Sequence, residues 1–296
     1  MKKQSIGGKE SLETNSRSMA DISIDFRYNP QIINKALFDR AKVWWGVSLL
    51  LKLSIFAIGV TLIFSSHAPK LSAFIVAFIS IVSELCKLQS EGIKRVAEDL
   101  CRKLDFQDSL GWQISTAEMS DILIKFGNRE IKKLLSKEGD AYFASNTSPS
   151  PKRALENLQE SAWFSKHLAR TMAHLCLTAI VILVLVSIAT LLTSINTIKD
   201  YDLLANIGRV VTSTLMLVFS VNLIPLMLGY FSFSHNAGHA ERKANDILEV
   251  GTCNEIDALK AWQEYHIARA QAPLIPTWIW KYKRNTLNEL WRKFRT

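Results

Sequence analysis

The stretch WWGVSLLLKLSIFAIGVTLIF, residues 44–64, decides the fold. Its only charged residue is Lys52 and it contains no proline. A helix rising ~1.5 Å per residue needs ~20 such residues to cross ~30 Å of hydrocarbon. Three further apolar runs have similar length: Leu71 to about Leu88, Leu175 to Ile195 and Val210 to Ser234. No water inside a bilayer can satisfy an open backbone, so such runs form helices or closed barrels. The expected fold is all-α: two transmembrane helical hairpins (four spans) with a helical insert between them and helices after the last span.

Charge gives the orientation. Of the 36 Lys and Arg residues, 32 fall in segments that an alternating path leaves on one side: eight in residues 1–42, fourteen from Lys87 to Arg170 and ten in residues 234–296. The opposite side holds Lys70, Lys199 and Arg209, and Lys52 lies within the first span. Positive residues stay cytoplasmic during insertion. The chain therefore reads as a multi-pass plasma-membrane protein with both termini cytoplasmic. Residues 1–42 are an N-terminal cytoplasmic segment, of which 1–20, rich in Ser, Lys and Gly, read as a disordered tail. Residues 43–88 form the first hairpin, 89–170 the cytoplasmic insert, 171–234 the second hairpin and 235–296 the C-terminal cytoplasmic helices. The first apolar run begins more than forty residues in and is longer than a signal-peptide core, so it reads as a retained anchor.

The net charge of +9 does not imply a nucleic-acid polymer, because 24 of the 27 acidic residues share the basic segments. Topology and the anionic lipid bilayer explain the excess first. Cys86, Cys101, Cys176 and Cys253 are isolated and read as reduced packing thiols.

Outside the spans the periodicity is helical. Ile93, Val96, Ala97, Leu100, Cys101 and Leu104 share one face, so the second span is expected to run on into the insert. Ser115 with Glu118 forms a capping box ahead of Met119, Ile122, Leu123 and Phe126, with Gly127 placed to end that helix. Ile131, Leu134 and Leu135 suggest another short helix. Residues 145–151 read as a loop, and Ser150-Pro151 as a helix start that runs unbroken into the third span. The fourth span continues through Ala237, Ala240 and Ala244 to Gly251, and the two extensions are expected to pair as a stalk. Asn254 with Asp257 starts a further helix, Pro273 and Pro276 break it, and a last helix carries Leu287, Leu290, Trp291 and Phe294 beside Arg292, Lys293 and Arg295. That basic, Trp-bearing tail suits either the inner membrane surface or packing against the other cytoplasmic helices.

Polar residues inside the spans are the first functional candidates. A charge at bilayer depth costs a few kcal/mol unless it is paired or reaches water. By helical rise Lys52 lies ~12 Å above the inner boundary and Glu84 ~6 to 10 Å, so the two can meet. They form a buried pair or a polar lining exposed when subunits rearrange; the plainer and preferred reading is that Lys52 snorkels to Glu84 at the interface. Asn222 and Pro225 predict a kink in the fourth span, because proline frees a carbonyl. A kink beside a polar side chain is a candidate gate, with interhelical packing the simpler reading. His167, His174, His235 and His239 lie near one membrane face, but lack a carboxylate or cysteine at ligand spacing, so they read as interfacial rather than metal-binding. No phosphate-cradling glycine loop, nucleophile elbow or zinc-protease motif is present. Neither an enzyme nor a cofactor is expected.

Three strings, AEDLCRKLDFQDSLGW (residues 97–112), YFASNTSPSPKRALENLQESAWFSKHLAR (142–170) and ARAQAPLIPTWIWKYKRNTLNELW (268–291), acquire weight on this layout. They resemble the corresponding regions of the bacterial SMODS-associated four-transmembrane effectors, pore formers that accompany cyclic-oligonucleotide synthases. The resemblance rests on overall layout over most of residues 30–296. It implies an inner-membrane effector of antiphage or conflict systems that permeabilises the membrane when a cyclic nucleotide is sensed. Four helices around one axis enclose no lumen, so conduction requires a homo-oligomer or a large opening of the hairpins. Lys94, Arg95, Arg102, Lys103, Lys152 and Arg153 are the candidate phosphate-binding residues, each of which also reads as part of a solvated helix face. The alternative is a membrane-anchored helical scaffold that does not conduct.

Overall fold

The structure, a computed structural model, describes residues 30–64, 71–124 and 143–294. Among them are α1 (Pro30–Phe64), α2 (Ser72–Leu110), α3 (Thr116–Ile124), α4 (Pro151–Thr197), α5 (Tyr201–Ser220), α6 (Leu223–Val250), α7 (Glu255–Gln271) and α8 (Thr277–Phe294), and no strand. Four segments are long and apolar enough to cross a membrane: α1, α2, α4 and the stretch Tyr201–Val250 that α5 and α6 share. In each, only 11% of the apolar window is buried within the chain. Phe74, Phe78 and Leu185 point outward, the behaviour of side chains that lipid covers. The fold is an all-α, four-span architecture.

The helices outrun the apolar runs. α1 starts at Pro30, and α2 continues past Leu88 to Gly111, which closes it at φ 76°. α4 is one helix of 47 residues, with Pro151 in its first turn and Ser150 Oγ accepting from the Arg153 N–H at 3.3 Å. The divisions at 42/43, 88/89, 170/171 and 234/235 thus fall inside continuous helices. The capping box before α3 closes both ways: Ser115 Oγ accepts from the Glu118 N–H, and Glu118 Oε2 from the Ser115 N–H. Residues 1–20, the Ser65–Lys70 turn, Phe126, Gly127, the segment around Ile131, Leu134 and Leu135, and Arg295 lie outside the described residues.

The fourth span differs from expectation in two ways. Its first helix begins at Tyr201, because Asp200 Oδ1 accepts from the N–H groups of Asp202 and Leu203, so Arg209 belongs to α5 rather than to a loop. The anticipated kink is a complete break: Asn222 adopts a left-handed conformation (φ 58°, ψ 37°) between α5 and α6.

At the polar end, small residues let three helices approach closely. Ala154, Leu155, Leu158 and Ala162 of α4 meet Ala237, Ala240 and Ala244 of α6, while Ala258, Ala261, Trp262 and Tyr265 of α7 fill the remaining side. Burying Trp262 requires a partner for its indole, and Nε1 donates to the Ala154 carbonyl at 2.7 Å. Tyr265 likewise donates to Ser161 O. Lys166 pairs with the buried Glu241, and Gln159 bonds Asn245, so polar contacts fix the α4–α6 register. In α8, Trp280 and Trp291 both bring their rings to 5.8 Å from Phe164, which pins α8 across α4 and leaves Trp278, Lys281 and Tyr282 outward.

Within the first hairpin, serines replace bulky residues where α1 and α2 touch. Ser83 donates to the Ser48 carbonyl at 3.1 Å and Ser90 to the Ala41 carbonyl at 2.7 Å. Hydrogen bonds of this kind, added to close packing, hold helices where lipid offers no hydrophobic drive for association. Below the spans, Ile33 and Leu37 join Ala97, Leu100 and Ile122 in a second, smaller core. The cysteines are free; Cys86, Cys101 and Cys176 are buried.

Candidate functional site: a basic cavity at the break in the fourth span

The break exposes backbone. Pro225 has no N–H to offer the Val221 carbonyl, and the turn at Asn222 ends the α5 ladder, leaving carbonyls at the negative end of the α5 dipole. Lys52 answers one of them. Its Nζ donates to Ser220 O at 3.1 Å and lies 2.8 Å from Glu84 Oε1. The Lys52 side chain is 10% exposed and that of Glu84 53%. The ammonium therefore sits inside the chain while the carboxylate reaches in from the outer surface of α2. The helical-rise argument places these two residues at matching depth; the third partner, a backbone carbonyl, has no signature in sequence.

The break also redirects the chain. α1 packs along α5 but scarcely meets α6, which runs beside α4. Where the hairpins diverge a cavity of about 520 Å³ opens. Lys52, Asn222 and Pro225 contribute to its wall, and so do Lys94 and Arg95. Residues singled out separately, as intramembrane polar groups and as phosphate ligands, thus share one site. Lys87, Glu91, Ser48 and Trp45 complete the α1 and α2 walls, and the turn Ala270–Leu274 between α7 and α8 closes the end. Four cations, Lys52, Lys87, Lys94 and Arg95, and one carboxylate, Glu91, line this wall, with Glu84 set against Lys52 and Glu98 acting on Lys94 from outside it. The i, i+4, i+7, i+8 spacing of Lys87, Glu91, Lys94 and Arg95 marks one face of α2 and is legible in sequence. The closing turn, nearly 180 residues away from Lys94, is not.

Lys94 is tied to that turn: its ammonium donates to the carbonyls of Ala270 and Ala272 at the C-terminal end of α7. Burial pushes its pKa below the ordinary lysine value, an effect opposed by the Glu98 carboxylate. Tyr230 of α6 donates to Leu274 O in the same turn at 2.6 Å. Gly229 is required beside it, since a Cβ there would stand 2.9 Å from Pro273 Cγ. The turn is thereby held by α2 and α6 together.

The remaining phosphate candidates lie elsewhere and are paired. Arg102 bonds Asp99 at 2.6 Å, and Lys103 bridges Asp99 and Glu118 at 3.0 and 3.2 Å. Lys152 lies 3.9 Å from Glu156. Arg153 makes a fork to Asp108, with NH2 at 2.9 and 3.0 Å from its two oxygens, and Asn157 Nδ2 joins Asp108 at 2.7 Å. Arg153 borders a second, shallower cavity with Gln107, Asp108 and Pro149. These six residues do not form one phosphate surface, because four of them neutralise nearby acids.

Beyond the cavity, α2 and α7 enclose a cluster of ionisable groups. Asp105 is buried, 3.8 Å from His266 Nε2 and 3.9 Å from Arg269, while Arg269 Nε lies 3.1 Å from Glu98. Burial raises the Asp105 pKa to about 7 against the pull of Arg269, and burial with the Arg269 and Arg102 charges lowers His266 to about 3. His266 is therefore neutral, its ring stacked on Trp262 at 4.8 Å, and the contact with Asp105 is not an ion pair. His167 and His174 contact Trp163 and Phe231, and His235 and His239 are exposed. Among the described residues no three His, Cys, Asp or Glu side chains converge. Comparison of the chain with protein-family models, curated proteins and solved structures finds no match.

Proposed function

We propose that this chain is a regulated pore-forming effector of the bacterial inner membrane, which permeabilises that membrane in response to a nucleotide signal in antiphage or conflict defence. The observation that carries the reading is the coincidence of a cationic cavity with the helix break in a span. A ligand that draws on these cations acts directly on the element whose geometry controls the membrane part. Lys94 and Arg95 are the phosphate contacts, and Lys52 is the coupling residue. The exposed apolar faces of α2 and α4 supply the surfaces for a homo-oligomer, which conduction requires because four helices leave no lumen. Both termini and the polar-end helices are cytoplasmic on the charge asymmetry.

The test is dye release from liposomes carrying the purified chain, with and without cyclic di- and trinucleotides, normalised to inserted protein. Release on nucleotide addition is expected, and Lys52→Leu and Asn222→Leu each abolish it. No release with any nucleotide, together with no depolarisation of overexpressing cells, overturns the reading. Tags at either end should be reachable only after the membrane is permeabilised; labelling of intact cells from outside overturns the orientation.

A second reading, a non-conducting membrane-anchored scaffold, is favoured by the position of the largest core, which lies among α4, α6 and α7 at the polar end. A tether tolerates both span substitutions.

A further inference from the structure

The cations of the cavity are not equivalent. Lys52 is engaged by Glu84 and Ser220 O, and Lys94 by two backbone carbonyls. Lys87 and Arg95 have no hydrogen bond or ion pair among the described residues, yet both face the cavity. Lys87 adjoins Leu88, where the second apolar run ends, and Arg95 lies seven residues further, about 10 Å by helical rise. The headgroup zone on each side of a bilayer is roughly 5–8 Å deep. These two cations, of which Lys87 also feels the Glu84 carboxylate, therefore bracket the depth at which lipid phosphates lie. Trp45, Leu49, Val221 and Pro225 add apolar surface to the wall, beside Lys52, which Glu84 neutralises. Apolar surface next to two cations at headgroup depth fits an amphiphile with a phosphodiester head.

We propose that the cavity binds the head group of an anionic phospholipid, its phosphate between Lys87 and Arg95 and its acyl chains against Trp45 and Leu49 of α1 and the Val221–Leu226 segment at the helix break. The volume of about 520 Å³ lies within the ~300–1,000 Å³ range of small-molecule sites. Glu91 stands between the two cations on the same helix face and opposes the phosphate, so it limits affinity. Arg95 is shared with the proposed nucleotide contacts, so lipid and nucleotide compete for the cavity, but lipid binding does not depend on permeabilisation: a lipid can hold the diverging hairpins together in a pore or in a scaffold.

The experiment is native mass spectrometry of the full, delipidated chain in detergent, titrated with phosphatidylglycerol or phosphatidylcholine. Wild type should retain phosphatidylglycerol in preference to phosphatidylcholine. Lys87→Gln/Arg95→Gln should weaken that binding roughly thirtyfold, about 1 kcal/mol for each cation near the surface. Lys152→Gln/Lys260→Gln, the same charge change outside the cavity, should leave it unaltered. Glu91→Gln should tighten it by roughly fivefold, a gain that misfolding cannot produce. Equal retention of the two lipids overturns the proposal, as does undiminished binding by the double variant. Displacement of phosphatidylglycerol by millimolar inorganic phosphate overturns the lipid as the source of the phosphate and assigns the site to soluble anions.

Discussion

Lys52 Nζ donates to the carbonyl of Ser220 at 3.1 Å, so a side chain of the first span closes the open end of a helix in the fourth. A cation at a helix C-terminus is favoured by the dipole. Replacing Lys52 by Met leaves that carbonyl without a donor and Glu84 without a counterion, at a cost of about 1–3 kcal/mol. Glu84→Gln should cost below about 1 kcal/mol, because the carboxylate is half exposed and the carbonyl bond survives. Thermal unfolding in nanodiscs separates the two, and equal losses would refute the ordering.

Asn222 is the only non-glycine residue among those described with positive φ. Left-handed backbone costs a residue bearing a Cβ roughly 1–2 kcal/mol, least for Asn and nothing for Gly. Asn222→Gly should therefore hold or raise the melting temperature, whereas Asn222→Val should lower it by several degrees. A Val variant as stable as wild type would mean that the break is not held in this conformation.

Two glycines of α6 should behave differently on substitution by alanine. At Gly229 a new methyl meets Pro273 at 2.9 and 3.1 Å, a ring that cannot yield because Tyr230 and Lys94 fix the turn. At Gly238 it meets a methylene of the Lys166 side chain at 3.1 Å, which can shift by a few tenths of an ångström while Nζ keeps its pairing with Glu241. Gly229→Ala should destabilise by about 1–3 kcal/mol. Gly238→Ala should be close to neutral, since helix propensity favours alanine. Chemical denaturation of the two variants gives the comparison, and a neutral Gly229→Ala would show that the turn is loose.

Asp105 gives a pH signature. An unfolded aspartate titrates near ~3.9. Burial raises the folded value to about 7, so the native state keeps a proton that the unfolded chain releases. Stability from this group is full below pH ~4 and declines as pH rises toward 7. His266 acts in the other sense: its folded value is lowered to about 3, so stability is lost as pH falls from ~6.5 toward that value. Asp105→Asn should abolish the decline on the alkaline side, and its melting temperature relative to wild type should climb from pH 4 to pH 8. Parallel pH profiles would rule out a buried, proton-bearing Asp105.

The four-span fold was legible because length and composition alone dictate it: a 21-residue run such as 44–64 has no soluble helical alternative of comparable exposure. Local signals were also sufficient where one side chain determines the outcome, as at Ser115, Ser150 and Asn254, each of which accepts a backbone N–H at a helix start. Pro225 announced a disturbance in the fourth span but not its form, since a kink and a left-handed break remove the same hydrogen bond. The candidate site was legible only in part. Sequence displays charges without their partners, and Arg153 finds Asp108 45 residues away while Lys94 finds Ala270 across 176. Backbone acceptors such as the Ala270 and Ser220 carbonyls carry no residue signature, so the tertiary fold alone brings them to a lysine.

The serine contacts between α1 and α2 bear on biogenesis. Ser48, Ser83, Ser90 and the Lys52–Glu84 pair all lie before residue 91, so the first hairpin can complete its own polar closures before any of the second has left the ribosome. Lys52 then waits, already neutralised, for a carbonyl synthesised 168 residues later. That one hydrogen bond closes only when the two halves lie side by side.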